Sequence, residues 1–433
     1  MKFSTDQLAT KLQSELGRDA VKNESSLLAP YAVDGISPVL LCCPKTPEEV
    51  AAALRLCSEV ETAVTPWSGG TAMRIGNLPR QLHVILELSA LNRVIEHDHA
   101  NLTTTVQSGI TLAALQEALA PQKQFLPFDP PHATYCTIGG VVAANLNGPR
   151  RTSYGSVRDL VIGMKVVLAS SEQIKAGGKV VKNVAGYDMC KLFVGSLGTL
   201  GIMTEVTLRM APIPETAETL IVSGTLEQMT QLAAELSRSP LLPAAVFLLN
   251  GRACGGPTAW QAGWRVALWY EGFEASVLRH LRDSQAIAER SGAGTEILKD
   301  IGHRQFWEAI SDFPLQSAPF IYRVTVPRRS VADVLKVISD WETTDFHPAI
   351  VSDASIGTVW IASTGASAEQ FPKLIALARE HQGHAIMLAA PPAFKEGVDI
   401  WGPTPSTLSL MREIKRQFDP KGLLNSGRFI AGL

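Results

Sequence analysis

Pro66-Trp67-Ser68-Gly69-Gly70-Thr71-Ala72-Met73, directly after the strand-like run Thr62 to Thr65, is the first of two glycine-rich tracts that decide how this chain is read. The second begins Thr137-Ile138-Gly139-Gly140-Val141-Val142-Ala143-Ala144-Asn145. It continues through Gly148-Pro149-Arg150-Arg151, Gly155-Ser156-Val157-Arg158-Asp159 and Lys182-Asn183-Val184-Ala185-Gly186-Tyr187-Asp188 to Gly195-Ser196-Leu197-Gly198-Thr199-Leu200-Gly201-Ile202. Backbone amides bind a pyrophosphate only at close range, and a Cβ blocks that approach, so the pair reads as a split phosphate site. Neither tract has the Gly-x-Gly-x-x-Gly spacing that opens a helix, which sets a Rossmann reading aside.

Upstream, Thr46-Pro47-Glu48-Glu49 is a capping-box start, and Val50, Ala53, Leu54 and Cys57 follow at helical spacing. This helix lies between the strand-like runs Val39-Leu40-Leu41-Cys42 and Ala63-Val64-Thr65, predicting a β-α-β unit that ends on the first tract. Further strands are predicted over His83 to Leu88, Thr103 to Ser108 and Leu160 to Ala169, with a short helix after Thr111. Pro212-Ile213-Pro214 breaks the pattern and closes the first domain, 1–212.

From Glu215 onward strands alternate with capped amphipathic helices, as at Thr225-Leu226-Glu227-Gln228 and Ser367-Ala368-Glu369-Gln370. Phe320 to Val326 and Thr358 to Ala362 are strands between them, so residues 213–395 read as an α+β domain with helices on one face of an antiparallel sheet. In the last segment, 396–433, Leu408, Met411, Ile414 and Phe418 line a helix that stops at Asp419-Pro420-Lys421-Gly422.

Lysine and arginine number 39 against 41 acidic residues in 433, leaving no unbalanced field for nucleic acid or anionic lipid. No apolar run approaches membrane-spanning length, and the amino-terminal stretch lacks the apolar core of a secretory signal. The six cysteines form no Cys-x-x-Cys pair, so neither an iron–sulfur cluster nor a zinc ribbon is indicated, and reduced cytoplasmic thiols are expected. His97-x-His99 and His381-x-x-His384 are the only close histidine pairs; two ligands do not make a metal site, and none is expected. His97-Asp98-His99 reads as a solvated turn between strands.

The glycine tracts, their order and the closing Asn425-Ser426-Gly427-Arg428-Phe429 resemble the vanillyl-alcohol-oxidase-like (PCMH-type) FAD-binding flavoproteins, the group containing D-lactate and glycolate dehydrogenases. Within it, Gly148-Pro149-Arg150-Arg151 and the segments through Asp188 look most like the FAD-binding E subunits of bacterial glycolate oxidases. The resemblance implies a PCMH-type FAD-binding domain of two α/β subdomains, an α+β cap domain with an antiparallel sheet, and a C-terminal segment that returns to the FAD domain. It also implies that the backbone of Ser68, Gly69, Gly70, Thr71, Ala72 and Met73 cradles the FAD pyrophosphate beside Trp67. The rest of the cofactor then falls to Pro130, Pro131, Thr137, Gly139, Gly140, Ala143, Asn145, Ser156 and Ile202. Some members attach the flavin through a histidine in the first tract; Thr71 holds that place here, so FAD is expected to bind non-covalently.

Flavin oxidation of a 2-hydroxy acid needs a base for the hydroxyl proton and a cation for the carboxylate. The metal-binding His-x-Gly-Asp-Gly-Asn-x-His and Glu-His-Gly-Ile-Gly motifs of related substrate-oxidising subunits are missing; where the second belongs stands Phe394-Lys395-Glu396-Gly397-Val398-Asp399-Ile400-Trp401-Gly402-Pro403. Arg323, inside an apolar strand, is the best cation candidate, because such an arginine needs an anionic partner or a wet cavity; a structural ion pair is the competing reading. Tyr187 and Lys191 share a segment expected near the flavin, and Arg158-Asp159 reads as an internal ion pair or a loop-shaping contact. The implied partners are a sister FAD-binding subunit and an iron–sulfur subunit of a glycolate oxidase complex. The implied location is the cytoplasm, peripheral to the inner membrane through those partners.

Overall fold

The computed structural model describes residues 5–178, 187–253, 263–342, 346–365 and 369–433. The Lys182 to Gly186 part of the second tract, Cys254, and the Ser367 and Ala368 positions of one predicted cap lie outside them.

Two sheets carry the glycine tracts. In the first, Leu40–Cys42, Val84–Glu87 and Val64–Trp67 run parallel in that spatial order, and Val21–Lys22 pairs antiparallel at one edge. The predicted helix is Pro47–Glu59, with Thr46 Oγ1 accepting from Glu49 N at 3.1 Å. It joins strands that are not neighbours, because Val84–Glu87 lies between them. Val84, Ile85 and Leu86 are all buried, and a strand apolar on both faces takes a central place. The second sheet is antiparallel in the order Val94–Asp98, Thr103–Gln107, Ile202–Arg209, Val161–Val167, Gln173–Gly177. Val167, Ala169 and Ile202 pack into the core of the first sheet, so the two sheets share it. His97 belongs to the Val94–Asp98 strand, where pairing with Thr104 holds its ring against Gln124 Oε1 at 2.9 Å, so the solvated-turn reading fails for it; His99 and Ala100 do turn between that strand and Thr103–Gln107, closed by Asn101 on Asp98.

The third sheet has eight antiparallel strands, Gly294–Leu298, Thr216–Gly224, Trp264–Gly272, Ala245–Asn250, Ala349–Asp353, Thr358–Ser363, Phe320–Thr325 and His384–Ala389 in spatial order. Helices Leu226–Leu236, Glu274–Arg290, Val331–Asp340 and Gln370–Glu380 cover one face, burying residues such as Met229, Leu281, Leu335 and Leu374. The opposite face is not bare. Helix Asp300–Asp312 lays Phe306, Trp307 and Ile310 on it, and Ala72 and Ile75 arrive from beside the first glycine tract. Runs such as Val266-Ala267-Leu268-Trp269-Tyr270 are apolar at every position, so both faces had to be covered.

Several polar contacts fix this second face to the glycine-tract region. Arg150 reaches Glu271 Oε2 at 3.2 Å while its guanidinium lies 4.3 Å from the Trp269 ring centre. His132 N donates to Asp312 Oδ1 at 2.6 Å, and Arg74 donates to Gln316 O and Ala318 O at 2.9 and 2.7 Å.

The tail threads back. Val64 N donates to Leu423 O and Asn425 N to Val64 O, both at 2.9 Å, extending the first sheet beyond Val64–Trp67. Helix Leu408–Phe418 buries Leu408 and Lys415, while Ile414 and Phe418 pack partly against the second core. The predicted apolar stripe therefore has an ammonium on its inner side. Lys415 Nζ is held by Asp419 Oδ2 at 2.7 Å, Thr199 O at 2.7 Å and Leu424 O at 3.0 Å.

Burial pushes two carboxyl groups, Asp129 and Asp353, up to about 6. The folded state then holds these protons more tightly than the unfolded chain, whose aspartates titrate near 3.9. Their stabilising share is complete below about pH 4 and is lost as pH rises through about 6, costing roughly 3 kcal/mol per group. Asp353→Asn should accordingly flatten the fall in thermal midpoint between pH 4 and 7, read by calorimetry across that range.

Candidate functional site

Where the two glycine tracts meet lies a cleft lined by residues of both. Ser68 Oγ and Thr137 Oγ1, one from each tract, lie 2.6 Å apart at the junction. Thr137 caps helix Ile138–Ala144 by accepting from Gly140 N at 3.3 Å. A side chain at Gly69 would run into Tyr135 O, and one at Gly139 would come 2.8 Å from Ser108 Cβ, so these glycines let the tracts close on each other. Gly70 has φ +68° and a Cβ there would stand 3.0 Å from the Trp67 ring. Leu197, also lining the cleft, is held at φ 51° by its N–H bond to Ala143 O at 2.8 Å; a leucine in the left-handed region stores strain.

The structure brings Trp67 through Met73, Thr137, Gly139, Gly140, Ala143 and Ile202 together as lining. It does not bring Pro130, Pro131, Asn145 or Ser156 there. Pro130 and Pro131 are buried. Asn145 is the left-handed cap of helix Ile138–Ala144, and Ser156 Oγ donates to Asp159 Oδ2 at 2.6 Å. Asp159 is thus occupied by Ser156, which removes the Arg158–Asp159 pair; Arg158 instead reaches Lys191 O at 3.5 Å.

Tyr187 is 97% exposed and Lys191 gives its ammonium to the carbonyl oxygens of Arg158 and Val161, so neither side chain reaches the cleft. Arg323 sits on the sheet face that receives the glycine tracts, paired in register with Trp360. Its Nε is buried without a hydrogen-bond partner, and it takes part in no ion pair among the described residues. Burial, reinforced by nearby Arg151, pushes its guanidinium down to about 10. Among the described residues no group of three or more histidine, cysteine, aspartate or glutamate side chains is arranged to hold a metal.

Ser108, Leu197, Gly198, Gly201, Asn425 and Arg428 line the cleft without having been singled out from the sequence. All but Ser108 lie in the quoted glycine-rich and closing stretches, so the missing information was spatial. Ser108 Oγ and Asn425 Oδ1 are buried there without hydrogen-bond partners. Unpaired buried polar atoms are costly, and a ligand rich in donors and acceptors along its length would satisfy them. FAD, the group implied by the resemblance, fits these features: close-approach glycines, orphaned polar atoms and one cationic lining residue, Arg428. The lining contains no histidine.

A family model described as an FAD binding domain matches residues 38–177, and one described as the C-terminal domain of FAD linked oxidases matches residues 403–429. The chain is 30% identical over 357 residues to glycolate oxidase subunit GlcE of Escherichia coli (strain K12), spanning 80% of this chain and 87% of that one. It is 29% identical over 431 residues to glycolate oxidase subunit GlcD of Bacillus subtilis (strain 168), spanning 91% and 89%. In fold it is similar to 4-ethylphenol oxidase from Gulosibacter chungangensis, with a TM-score of 0.75 at 18% identity over 98% of this chain and 97% of the other; that likeness concerns the fold alone.

Proposed function

The chain belongs to the PCMH-type FAD-linked oxidase family that contains these glycolate oxidase subunits, and on that footing we propose that it is the E-type FAD-binding subunit of a glycolate oxidase complex. Its cofactor is FAD. The observation that carries the subunit reading is the identity to GlcE along four-fifths of the chain, joined to a cleft whose glycines and orphaned polar atoms suit a dinucleotide.

When bound, FAD supplies the acceptor for the hydride leaving the hydroxyl-bearing carbon of a 2-hydroxy acid. The backbone of Ser68 to Met73 would hold the pyrophosphate beside Trp67, and Gly139 and Gly140 would lie against the rest of the cofactor. Arg323, which does not line the cleft, is the cation for a substrate carboxylate only if the acid is oxidised on this subunit, its unpaired Nε being the supporting observation. Among the described residues no cleft-lining side chain is a carboxylate, imidazole, lysine or tyrosine, so none of these is a ready base for the hydroxyl proton. That favours a subunit relaying electrons from glycolate oxidised on a sister FAD-binding subunit, with glyoxylate as product and an iron–sulfur subunit as next acceptor. We place the complex in the cytoplasm, peripheral to the inner membrane through those partners; no helix among the described residues is long and apolar enough to cross a membrane.

Two other readings are a stand-alone D-2-hydroxy-acid dehydrogenase, such as one for D-lactate, and a structural subunit with a vestigial flavin. An anaerobic visible spectrum of the purified chain before and after glycolate separates them. Flavin bands that persist with glycolate and D-lactate but bleach with dithionite are expected for the relay. Bleaching by glycolate would mean that this chain oxidises the acid itself, bleaching by D-lactate alone would support the stand-alone dehydrogenase, and absence of flavin bands would favour the structural role.

A further inference from the structure

Arg428 is 2% exposed, yet it lines the cleft and makes four polar bonds. Nη1 donates to Asp34 Oδ2 at 3.0 Å and Asn77 O at 2.8 Å; Nη2 donates to Met73 O at 2.6 Å and Ile75 O at 2.5 Å. The three carbonyls belong to the stretch that continues the first glycine tract. Gly76 has φ +125°, and a Cβ there would lie 2.8 Å from Arg428 Cζ, so only a glycine lets the guanidinium lie against this loop.

A second buried cation stands behind it. Lys395 Nζ donates to Asp34 Oδ1 at 2.8 Å, Arg74 O at 3.0 Å and Gly76 O at 3.3 Å. Asp34 is the acid that opposes both cations. The next carboxylate, Asp399, accepts instead from Asn77 Nδ2, Trp401 N and Ala431 N. Two buried cations on one carboxylate leave an excess positive charge, which burial penalises unless an anion matches it. Arg428 is also the one ionisable side chain among the described lining residues, so the excess faces the cleft.

We propose that Arg428 is the counter-cation of the cofactor site: its surplus charge is matched by the FAD pyrophosphate, and its bonds to Met73, Ile75 and Asn77 clamp the first glycine tract in binding shape. This rests on the cleft being the FAD site. The tract's neutral amides orient the phosphates, while Arg428 supplies the charge they lack.

The test is calorimetric titration of the apoprotein with FAD, ADP and riboflavin, which separates the charged half of the cofactor from the ring half. Arg428→Met, checked for fold by circular dichroism, should weaken FAD and ADP alike by at least about 100-fold and leave riboflavin unchanged. Arg428→Lys, which keeps the charge and loses the planar fork, should hold ADP within about tenfold of the wild type. Unchanged ADP affinity in the folded methionine variant would overturn the proposal, as would equal losses for ADP and riboflavin, which would reduce Arg428 to shaping the loop. Should Arg428→Met not fold, the lysine variant decides alone: a hundredfold loss of ADP binding overturns the counter-charge. A wild-type apoprotein that binds neither FAD nor ADP would instead remove the assignment of the cleft itself.

Discussion

Gly70→Val is expected to yield a folded protein that purifies without flavin, its FAD dissociation constant raised more than about 100-fold. Two effects add. Gly70 has φ +68°, a region where a β-branched residue is strained by roughly 1–3 kcal/mol, and a Cβ would stand 3.0 Å from the Trp67 ring with further methyls beyond it. Those methyls would also occupy the space from which backbone N–H groups meet an anion, and each charge-assisted bond lost costs about 1.5–3 kcal/mol. The ratio of flavin to protein absorbance is the direct measurement. Gly292→Val is the control, since Gly292 has φ +71°, is exposed, and has nothing within 4 Å of an added Cβ. It should lower the melting temperature modestly and keep its flavin. Normal flavin content in Gly70→Val would remove the first tract from the binding site.

Lys415→Met should be the most destabilising single change in the tail, by about 3–5 kcal/mol, because it strands a buried carboxylate. Asp419 has a side chain 0% exposed; besides Lys415 it accepts from Leu423 N at 3.0 Å and Leu424 N at 2.8 Å. Thr199 O and Leu424 O would lose their donor together, one on the second glycine tract and one on the strand that extends the first sheet. A fall in melting temperature of roughly 3–6 °C follows for a chain of this size. Adding Asp419→Asn should restore much of it, since a neutral amide still accepts from the two backbone donors without a stranded charge. If the double variant is no more stable than Lys415→Met, the ion pair is not what the methionine removed.

Those two residues also mark where sequence reading stops. Periodicity placed helix Leu408–Phe418 on the stripe Leu408, Met411, Ile414 and Phe418, and it gave no role to Lys415, which is buried. Local pattern cannot reveal that an ammonium will find three acceptors from segments far along the chain. The glycine tracts were legible because close backbone approach leaves a residue-level mark, the missing Cβ. Ser108 and Arg428 leave no such mark; their roles come from the cleft that other residues build. Tyr187 shows the converse, since its neighbourhood in sequence to a glycine segment implied proximity to the flavin, and the chain turns it outward. In the eight-stranded sheet, uninterrupted apolar runs signalled two covered faces as plainly as one, and the single-face expectation undervalued them.

The bond between Asp34 and Arg428 joins residues 394 positions apart. At about 5–20 residues per second of synthesis, a nascent chain would carry its first glycine tract outside the ribosome for roughly 20 to 80 seconds before the residue that clamps it exists. During that interval Asp34 has no arginine, Val64 has no Leu423 to accept its N–H, and the cleft lacks a wall. Cofactor capture therefore waits for Arg428 to be made, and a chain arrested or truncated before it would lack a finished flavin site however much of the glycine-rich sequence it contained.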